Sequence, residues 1–62
     1  QNNLAHQYMA EYYYQSGALE PAIQQLEIAL REKGISEFRS AQMTARLDLM
    51  NEEMEELKQR NN

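Results

Sequence analysis

The side chains that could do chemistry in this sequence are few and lie apart from one another. His6 is the only histidine and the chain has no cysteine, so no His/Cys cluster can hold a structural zinc. A general base needs a partner within hydrogen-bond reach. The nearest acid in the same predicted helix is Glu11, which is five residues away and falls on a different helical face. We therefore predict no catalytic site, no metal site and no cofactor, and a structural role for His6.

Chain length and charge exclude several kinds of function. The 62 residues allow one small domain, which buries only about 60% of the surface of its unfolded chain and is marginal alone. The net charge of −4 repels phosphate backbones, which argues against nucleic-acid binding. No apolar run approaches the ~20 residues that a membrane span needs. The sequence starts at Gln1 without an initiator Met, so we expect a fragment or a mature segment of a longer protein.

Composition and spacing predict an all-α chain that forms a single unit over residues 1–62. Helix-favouring residues dominate, Val and Trp are absent, and no segment alternates with a period of two. Breaks at Gly17 and Gly34 divide the chain into an antiparallel hairpin and a longer third helix that caps it. The predicted helices cover residues 4–15, 21–32 and 36–59.

Four residues mark the predicted helix ends. Gly17 follows the last turn of the first helix, where a left-handed residue is favoured, and Gly34 ends the second helix. Pro21 fits the first position of the second helix, because its missing N–H is not needed there. Ser36 is the predicted N-cap of the third helix.

Apolar residues recur at helical spacing in each predicted helix. In the first helix, Met9 and Tyr13, flanked by Ala5 and Ala10, fall on one face. The stripe of the second helix consists of Ala22, Ile23, Leu26, Ala29 and Leu30. The third helix carries two rows, one of Phe38, Ala41 or Gln42, Ala45 and Leu49, and one of Met43, Leu47, Met50, Met54 and Leu57. The methionine row has the spacing of a coiled-coil seam, so we predict that its first turns cover the apolar edge of the second helix.

The first two helices resemble a tetratricopeptide repeat, a helix–turn–helix unit of about 34 residues. Antiparallel helices pack closely only where small residues meet, and Ala10 and Ala22 provide them. The residues that match the repeat pattern are Met9, Ala10, Tyr13, Gly17, Ala22, Leu26 and Ala29. The resemblance covers residues 3–36, with the capping helix over residues 36–60, and it implies a binding scaffold that is not an enzyme. An unrelated helical hairpin is the alternative.

Two positions depart from the repeat pattern. His6 stands where Trp is usual, which fits a side chain that faces a preceding repeat. Gly34 stands where Pro usually ends the unit. Pro would restrict the direction of the chain at this position, whereas Gly allows several directions. One repeat cannot bury its own apolar face, so we expect either a homo-oligomer or neighbouring repeats.

A more specific resemblance extends over nearly the whole chain. Residues 4–17 (LAHQYMAEYYYQSG), 22–26 (AIQQL) and 45–47 (ARL), followed by a Glu-rich helix, resemble the C-terminal end of certain bacterial zinc metalloproteases. Those proteases join an H-E-x-x-H site to a tetratricopeptide tail and are associated with the periplasm and outer-membrane quality control. This chain has no H-E-x-x-H motif, so no catalytic residue is carried over. The resemblance implies a periplasmic tail that holds substrate or partner proteins.

Four side chains of the first helix are the predicted partner-binding residues, namely Gln7, Tyr8, Glu11 and Tyr14. They fall on the side that is concave in repeat arrays, where we expect them to lie open to a protein or peptide and aromatic residues are natural hot spots. Packing against a preceding repeat is the alternative for the tyrosines. The first helix has no Lys or Arg, so we predict that it does not bind the acidic C terminus of a peptide.

The end of the third helix is the predicted self-association surface. The hairpin is only ~18 Å long at 1.5 Å per residue, so the helix from Met50 onward should extend past it. We predict that Met50, Met54 and Leu57 pair with an antiparallel second copy. The methionines are alternatively an adaptable groove for a partner, since Met repacks easily. The Glu-rich residues 52–56 are expected to be a solvated face, or otherwise a docking patch for a basic partner.

Overall fold

The computed structural model describes residues 4–61, which form three helices and contain no strand. The helices are α1 (Ala5–Gln15), α2 (Leu19–Leu30) and α3 (Glu37–Arg60). The prediction of an all-α fold is therefore confirmed. Asn3, the first residue of the predicted hairpin, lies outside the described residues. The Cα atoms extend over 42 × 20 × 14 Å, an elongated shape that follows from the length of α3.

The turn between α1 and α2 depends on Gly17. Its φ is +82°, in the left-handed region that other residues disfavour. The amide of Ala18 donates a hydrogen bond to the Tyr13 carbonyl at 2.8 Å, which satisfies an acceptor of the last turn of α1. Gly34, after α2, has a φ of +81°. Gly17 therefore adopts the left-handed conformation predicted for it, and Gly34 adopts the same conformation at the end of the second helix.

α2 begins and ends two residues earlier than predicted. It spans Leu19–Leu30, so Pro21 is its third residue and not its first. The N–H groups of the whole first turn lack an intrahelical acceptor, so Pro costs no hydrogen bond at any of these positions. At the other end, the amides of Arg31 and Glu32 donate to carbonyls only three residues back, which tightens the chain before Gly34.

The hydrophobic core lies between α1 and α2 and beneath the middle of α3. Ala10 and Ala22 are fully buried, as a close approach of the two hairpin helices requires. The other buried residues of the core are Ile23, Leu26, Ala29, Met43 and Met50. The predicted stripe of α2 therefore supplies most of the core.

The buried face of α1 is narrower than its sequence suggests. It centres on Ala10, with Tyr13 and Tyr14 packed at the edge of the core. Ala5 is exposed and Met9 is 41% exposed, so these two residues do not belong to the buried face. Neighbouring residues on a helix are about 100° apart, and α2 covers only the side around Ala10.

α3 begins at the predicted N-cap. The Ser36 hydroxyl oxygen accepts a hydrogen bond from the amide of Arg39 at 3.1 Å. Glu37 lies in the first turn, while Lys58 and Arg60 lie in the last turn. Each of these charges is favourable at its end of the helix dipole.

α3 packs against α2 through its methionine row. Met43 and Met50 are fully buried, and Leu47 is partly buried against the core, which confirms the predicted cover over α2. The prediction that α3 extends past the hairpin from Met50 onward is wrong. Met54 lies beside Ile23 in the second turn of α2, so Met50, one turn earlier in α3, still lies over the hairpin.

The second row of α3 stays uncovered within residues 4–61. Phe38 is 76% exposed, and Ala41, Ala45 and Leu49 are exposed as well. This row lies away from the methionines on the helix, because α2 packs on one side of α3 only. None of its side chains contributes to the core.

Candidate partner-binding surface

Three of the four predicted partner-binding residues of α1 are held by α3. The Gln7 side-chain oxygen accepts a hydrogen bond from Arg39 Nη2 at 2.9 Å. Glu11 accepts two hydrogen bonds from Arg46, at 2.9 Å from Nε and 2.8 Å from Nη2, in a bidentate ion pair. Such a pair fixes both the distance and the relative orientation of the two side chains. It therefore links α3 to the middle of α1.

Tyr14 connects the same row to the acidic part of α3. Its hydroxyl donates a hydrogen bond to Glu53 Oε2 at 2.9 Å, and the Arg46 guanidinium lies 4.8 Å from the centre of its ring. The hydrogen bond to Glu53 raises the pKa of Tyr14 above its ordinary value, and partial removal from water and the Glu53 charge act in the same direction. The hydrogen bond to Glu11 raises the pKa of Arg46, so this guanidinium stays charged.

The expectation that Glu11 and Tyr14 lie open in a groove is wrong. Both residues are only partly exposed, and both are hydrogen-bonded to α3. Of the four predicted residues, Tyr8 is the one that is largely exposed, at 65%. The third helix runs beside α1 and places the long side chains of Arg46 and Glu53 where a partner was expected.

Tyr12 joins Tyr8 on the outer side of α1. The two residues are one turn apart, and Tyr12 is also 65% exposed. The Tyr12 ring stands edge-on to Tyr13, with 5.7 Å between ring centres and 61° between planes. Our sequence interpretation left Tyr12 out of the predicted partner-binding residues, although its spacing of four from Tyr8 was the available signal. Together with Met9, these tyrosines form an exposed and uncharged patch, here called the α1 aromatic surface.

The predicted self-association residues differ in their surroundings. Met50 is fully buried, so it is not available to a second copy. Met54 is partly buried and lines a groove of about 340 Å³ between α2 and α3. Leu57 is 41% exposed and lines a second groove with Leu19, at the turn end of the hairpin. Of the three predicted self-association residues, Leu57 and part of Met54 are therefore accessible.

His6 takes a structural position within the hairpin. Its Nδ1 lies 2.6 Å from Gln25 Oε1 of α2, and its Nε2 lies 3.6 Å from Glu32 Oε2. The side chain thus contacts the second helix of its own hairpin, which is a correction to the interpretation that it faces a preceding repeat. Within residues 4–61, no group of three or more His, Cys, Asp or Glu is placed to hold a metal ion.

Comparisons with protein-family models, with characterised proteins and with solved structures find no match for this chain. Its architecture places the chain in the all-α class of folds, as a helical hairpin with a longer third helix packed on it. None of the helices in the part of the chain that the structure describes is long and apolar enough to cross a membrane.

Proposed function

We propose that this chain is a non-catalytic protein–protein interaction module, the terminal tetratricopeptide-type hairpin and capping helix of a larger protein. The resemblance of its sequence to the tails of periplasmic zinc metalloproteases supports a parent of that kind and a periplasmic location. The observation that carries the proposal is the α1 aromatic surface, where two tyrosines are exposed on a helix whose other sides are packed.

Tyr8 and Tyr12 have the properties of residues that anchor protein partners. A tyrosine offers a large apolar ring and a hydroxyl group, and it has few rotatable bonds to immobilise on binding. Both stand on a helix that is held by α2 around Ala10 and by α3 through the pair of Glu11 and Arg46. Because the helix is already ordered, the entropic cost of binding is low.

The four residues predicted on α1 have two different roles in this proposal. Tyr8 contacts the partner, which is a protein or peptide. Gln7, Glu11 and Tyr14 hold α1 against α3 and support the surface from behind. A partner-binding role for Gln7, Glu11 and Tyr14 would require that the partner replace their bonds to α3.

The test is the capture of proteins from a periplasmic extract by the immobilised chain and by the Tyr8→Ala/Tyr12→Ala variant. We expect the variant to lose the captured partner and to keep its free energy of unfolding within about 1 kcal/mol, since both changes are on the surface. Tyr14→Phe is the matched control, because it removes only a hydroxyl that is bonded to α3. It should retain the partner. A partner that binds the double variant as strongly as the original chain would contradict the proposal.

Self-association through the end of α3 is a second candidate function. Leu57 is exposed beside Leu19, at the end of the hairpin, and a second copy could cover both. An antiparallel pair would bring the Glu-rich residues 52–56 of one chain near Lys58 and Arg60 of the other. A parallel pair would oppose like charges, so the antiparallel arrangement is favoured.

Sedimentation equilibrium separates the two functions. Leu57→Ala should weaken self-association and leave the capture of a partner unchanged. Tyr8→Ala/Tyr12→Ala should abolish the capture of a partner and leave self-association unchanged. A chain that remains monomeric at millimolar concentration would exclude the second function.

A further inference from the structure

The exposed row of α3 has no role in the core or in the surface described above. Its members, Phe38, Ala41, Ala45 and Leu49, are here called the α3 outer row. Their spacings of three and four residues place them along one side of the helix, over ~16 Å. Phe38 is the most exposed large apolar side chain of the described residues, at 76%. An apolar row of this kind on a helix is the usual docking face for another helix.

The shape of the α3 outer row suits a helical partner. Ala41 and Ala45 lie one turn apart, and their small side chains allow the backbone of a second helix to approach closely. Phe38 and Leu49 project at the two ends of the row and would fit into spaces between the side chains of that helix.

Acidic residues border the α3 outer row along one edge and at its C-terminal end. Glu37 and Asp48 lie along one edge, and Glu52 and Glu56 continue the row toward the C terminus with the same spacings of three and four. All four residues are exposed. A helix that docks here therefore meets a negative surface along one side and at one end.

The positive side chains at the other edge are already engaged. Arg39 donates a hydrogen bond to Gln7, and Arg46 forms the bidentate pair with Glu11. Glu11 balances the charge of Arg46. Arg39 keeps its positive charge, because Gln7 is neutral, and it offsets one of the four negative charges along the row.

The same charges argue against a second copy as the occupant. An antiparallel pair through the α3 outer rows would bring Glu37 of each chain near Asp48 of the other, and a parallel pair would oppose the two Glu52 side chains. Like charges across an interface lower affinity and suppress the pairing. A helix that carries Lys or Arg beside its apolar row has complementary charge.

We propose that the α3 outer row binds a basic amphipathic helix of another protein. The apolar row of that helix covers Phe38, Ala41, Ala45 and Leu49, and its basic flank faces Glu37, Asp48 and Glu52. The inference rests on the proposed function in that it takes the chain to be a protein-binding module. It adds a second surface and the chemical class of the partner.

The test uses a four-turn helical peptide of Leu, Ala and Lys as the probe, with a peptide that has Glu in place of Lys as its control. Binding to the 62-residue chain is followed by NMR chemical shifts. We expect the Lys peptide to shift the signals of Phe38, Ala45 and Leu49, and the Glu peptide to leave them unchanged. Equal binding of the two peptides, or no binding of the Lys peptide at millimolar concentration, would overturn the proposal.

Two leucines of α3 provide a matched pair of variants. Leu49 and Leu57 are both 41% exposed, but only Leu49 belongs to the α3 outer row. Leu49→Ala should weaken binding of the Lys peptide several-fold, and Phe38→Ala about tenfold, the size expected for an anchor residue. Leu57→Ala should have no effect. Equal losses from Leu49→Ala and Leu57→Ala would show that the peptide binds elsewhere.

A second pair of variants tests the charge argument. Asp48→Asn/Glu52→Gln and Glu20→Gln/Glu27→Gln each remove two negative charges, the first beside the α3 outer row and the second on α2. The first variant should weaken binding of the Lys peptide several-fold. The second should weaken it much less, because salt screens charges beyond about 8 Å at physiological ionic strength. Equal effects of the two variants would show that the peptide binds by non-specific electrostatic attraction and would contradict the proposal.

The outcomes for the two surfaces are separable. Tyr8→Ala/Tyr12→Ala should leave binding of the Lys peptide intact, and Phe38→Ala should leave the partner captured by the α1 aromatic surface. Signals of Phe38 that shift on simple dilution of the chain would identify a second copy as the occupant of the row and overturn this inference alone.

Discussion

Arg46 links α3 to α1 through two contacts. Its guanidinium bonds to Glu11 with both ends of the fork and lies over the Tyr14 ring. The side chains of Arg46 and Glu11 remain 33% and 37% exposed, so water screens the pair and its net contribution is about 1 kcal/mol or less. The pair links α3 to α1, while the position of α3 follows from the packing of its methionine row on α2.

The contribution of Tyr14 to the α1–α3 contact is lost at high pH. Its pKa is raised by the hydrogen bond to Glu53, so the folded chain keeps the proton that the unfolded chain loses near pH 10. The contribution is complete below the unfolded pKa and is lost as the pH rises through the folded value. We expect the free energy of unfolding to fall more steeply above pH 10 in the original chain than in Tyr14→Phe.

Chemical denaturation at several pH values measures this difference, and tyrosinate absorbance gives an independent check. In the absorbance titration, each tyrosine contributes one step as it loses its proton. The step that is missing from Tyr14→Phe should lie above the ordinary tyrosine pKa. If that variant instead loses a step at the ordinary value, the bond to Glu53 does not persist in solution.

Two methionines show how strongly burial affects the contribution of a residue to the free energy of unfolding. Met43 is fully buried between α3 and α2, whereas Met9 is 41% exposed on α1. Met43→Ala should lower the free energy of unfolding by about 2–5 kcal/mol, since it leaves a cavity in the core. Met9→Ala makes the same chemical change at the surface and should cost less than about 1 kcal/mol. Similar losses in urea titrations of the two variants would contradict the packing of α3 on α2.

At the scale of the helices, the local signals in the sequence predicted most of the boundaries. Gly17, Gly34 and Ser36 act at the helix ends as expected, because caps depend on a few neighbouring residues. The start of α2 was placed too late, because Pro21 is compatible with any position of the first turn. Helix ends that depend on glycine or on an N-cap were therefore easier to predict than one marked only by proline.

The side of α1 that α3 covers was not predicted from the sequence. That choice depends on the path of residues 31–36, where Gly34 allows several chain directions, and on contacts between residues more than thirty positions apart. Spacing along one helix identifies a face but not the neighbour that covers it. For this reason Glu11 and Tyr14 were expected to be open and Met50 was expected to be free.

The N-cap of α3 is the helix end with the clearest measurable effect. Ser36→Ala removes the hydrogen bond to the Arg39 amide and should cost about 1 kcal/mol. Ser16→Ala is the matched control, because the Ser16 hydroxyl donates to the Tyr12 carbonyl after α1 and caps no helix N terminus. Thermal unfolding should show a clearly lower midpoint for Ser36→Ala. A larger effect of Ser16→Ala would contradict this assignment.

At the scale of the whole molecule, the third helix closes one side of the hairpin and leaves the α1 aromatic surface and the α3 outer row exposed among residues 4–61. The α1 aromatic surface carries no charge, whereas the α3 outer row is bordered by acids. The two surfaces should therefore respond differently to salt. Binding at the α3 outer row should weaken as ionic strength rises, and binding at the α1 aromatic surface should change little.

The central claim is that the α1 aromatic surface binds a different protein, and photo-crosslinking from position 12 tests it most directly. Tyr12 is replaced by p-benzoylphenylalanine, which is also a large aromatic residue, and the cross-linked products from a periplasmic extract are identified by mass spectrometry. We predict a covalent product with a different protein, which the additional change Tyr8→Ala diminishes. Products that contain only a second copy of this chain, or no product from position 12 when the same probe at position 57 gives one, would contradict the claim.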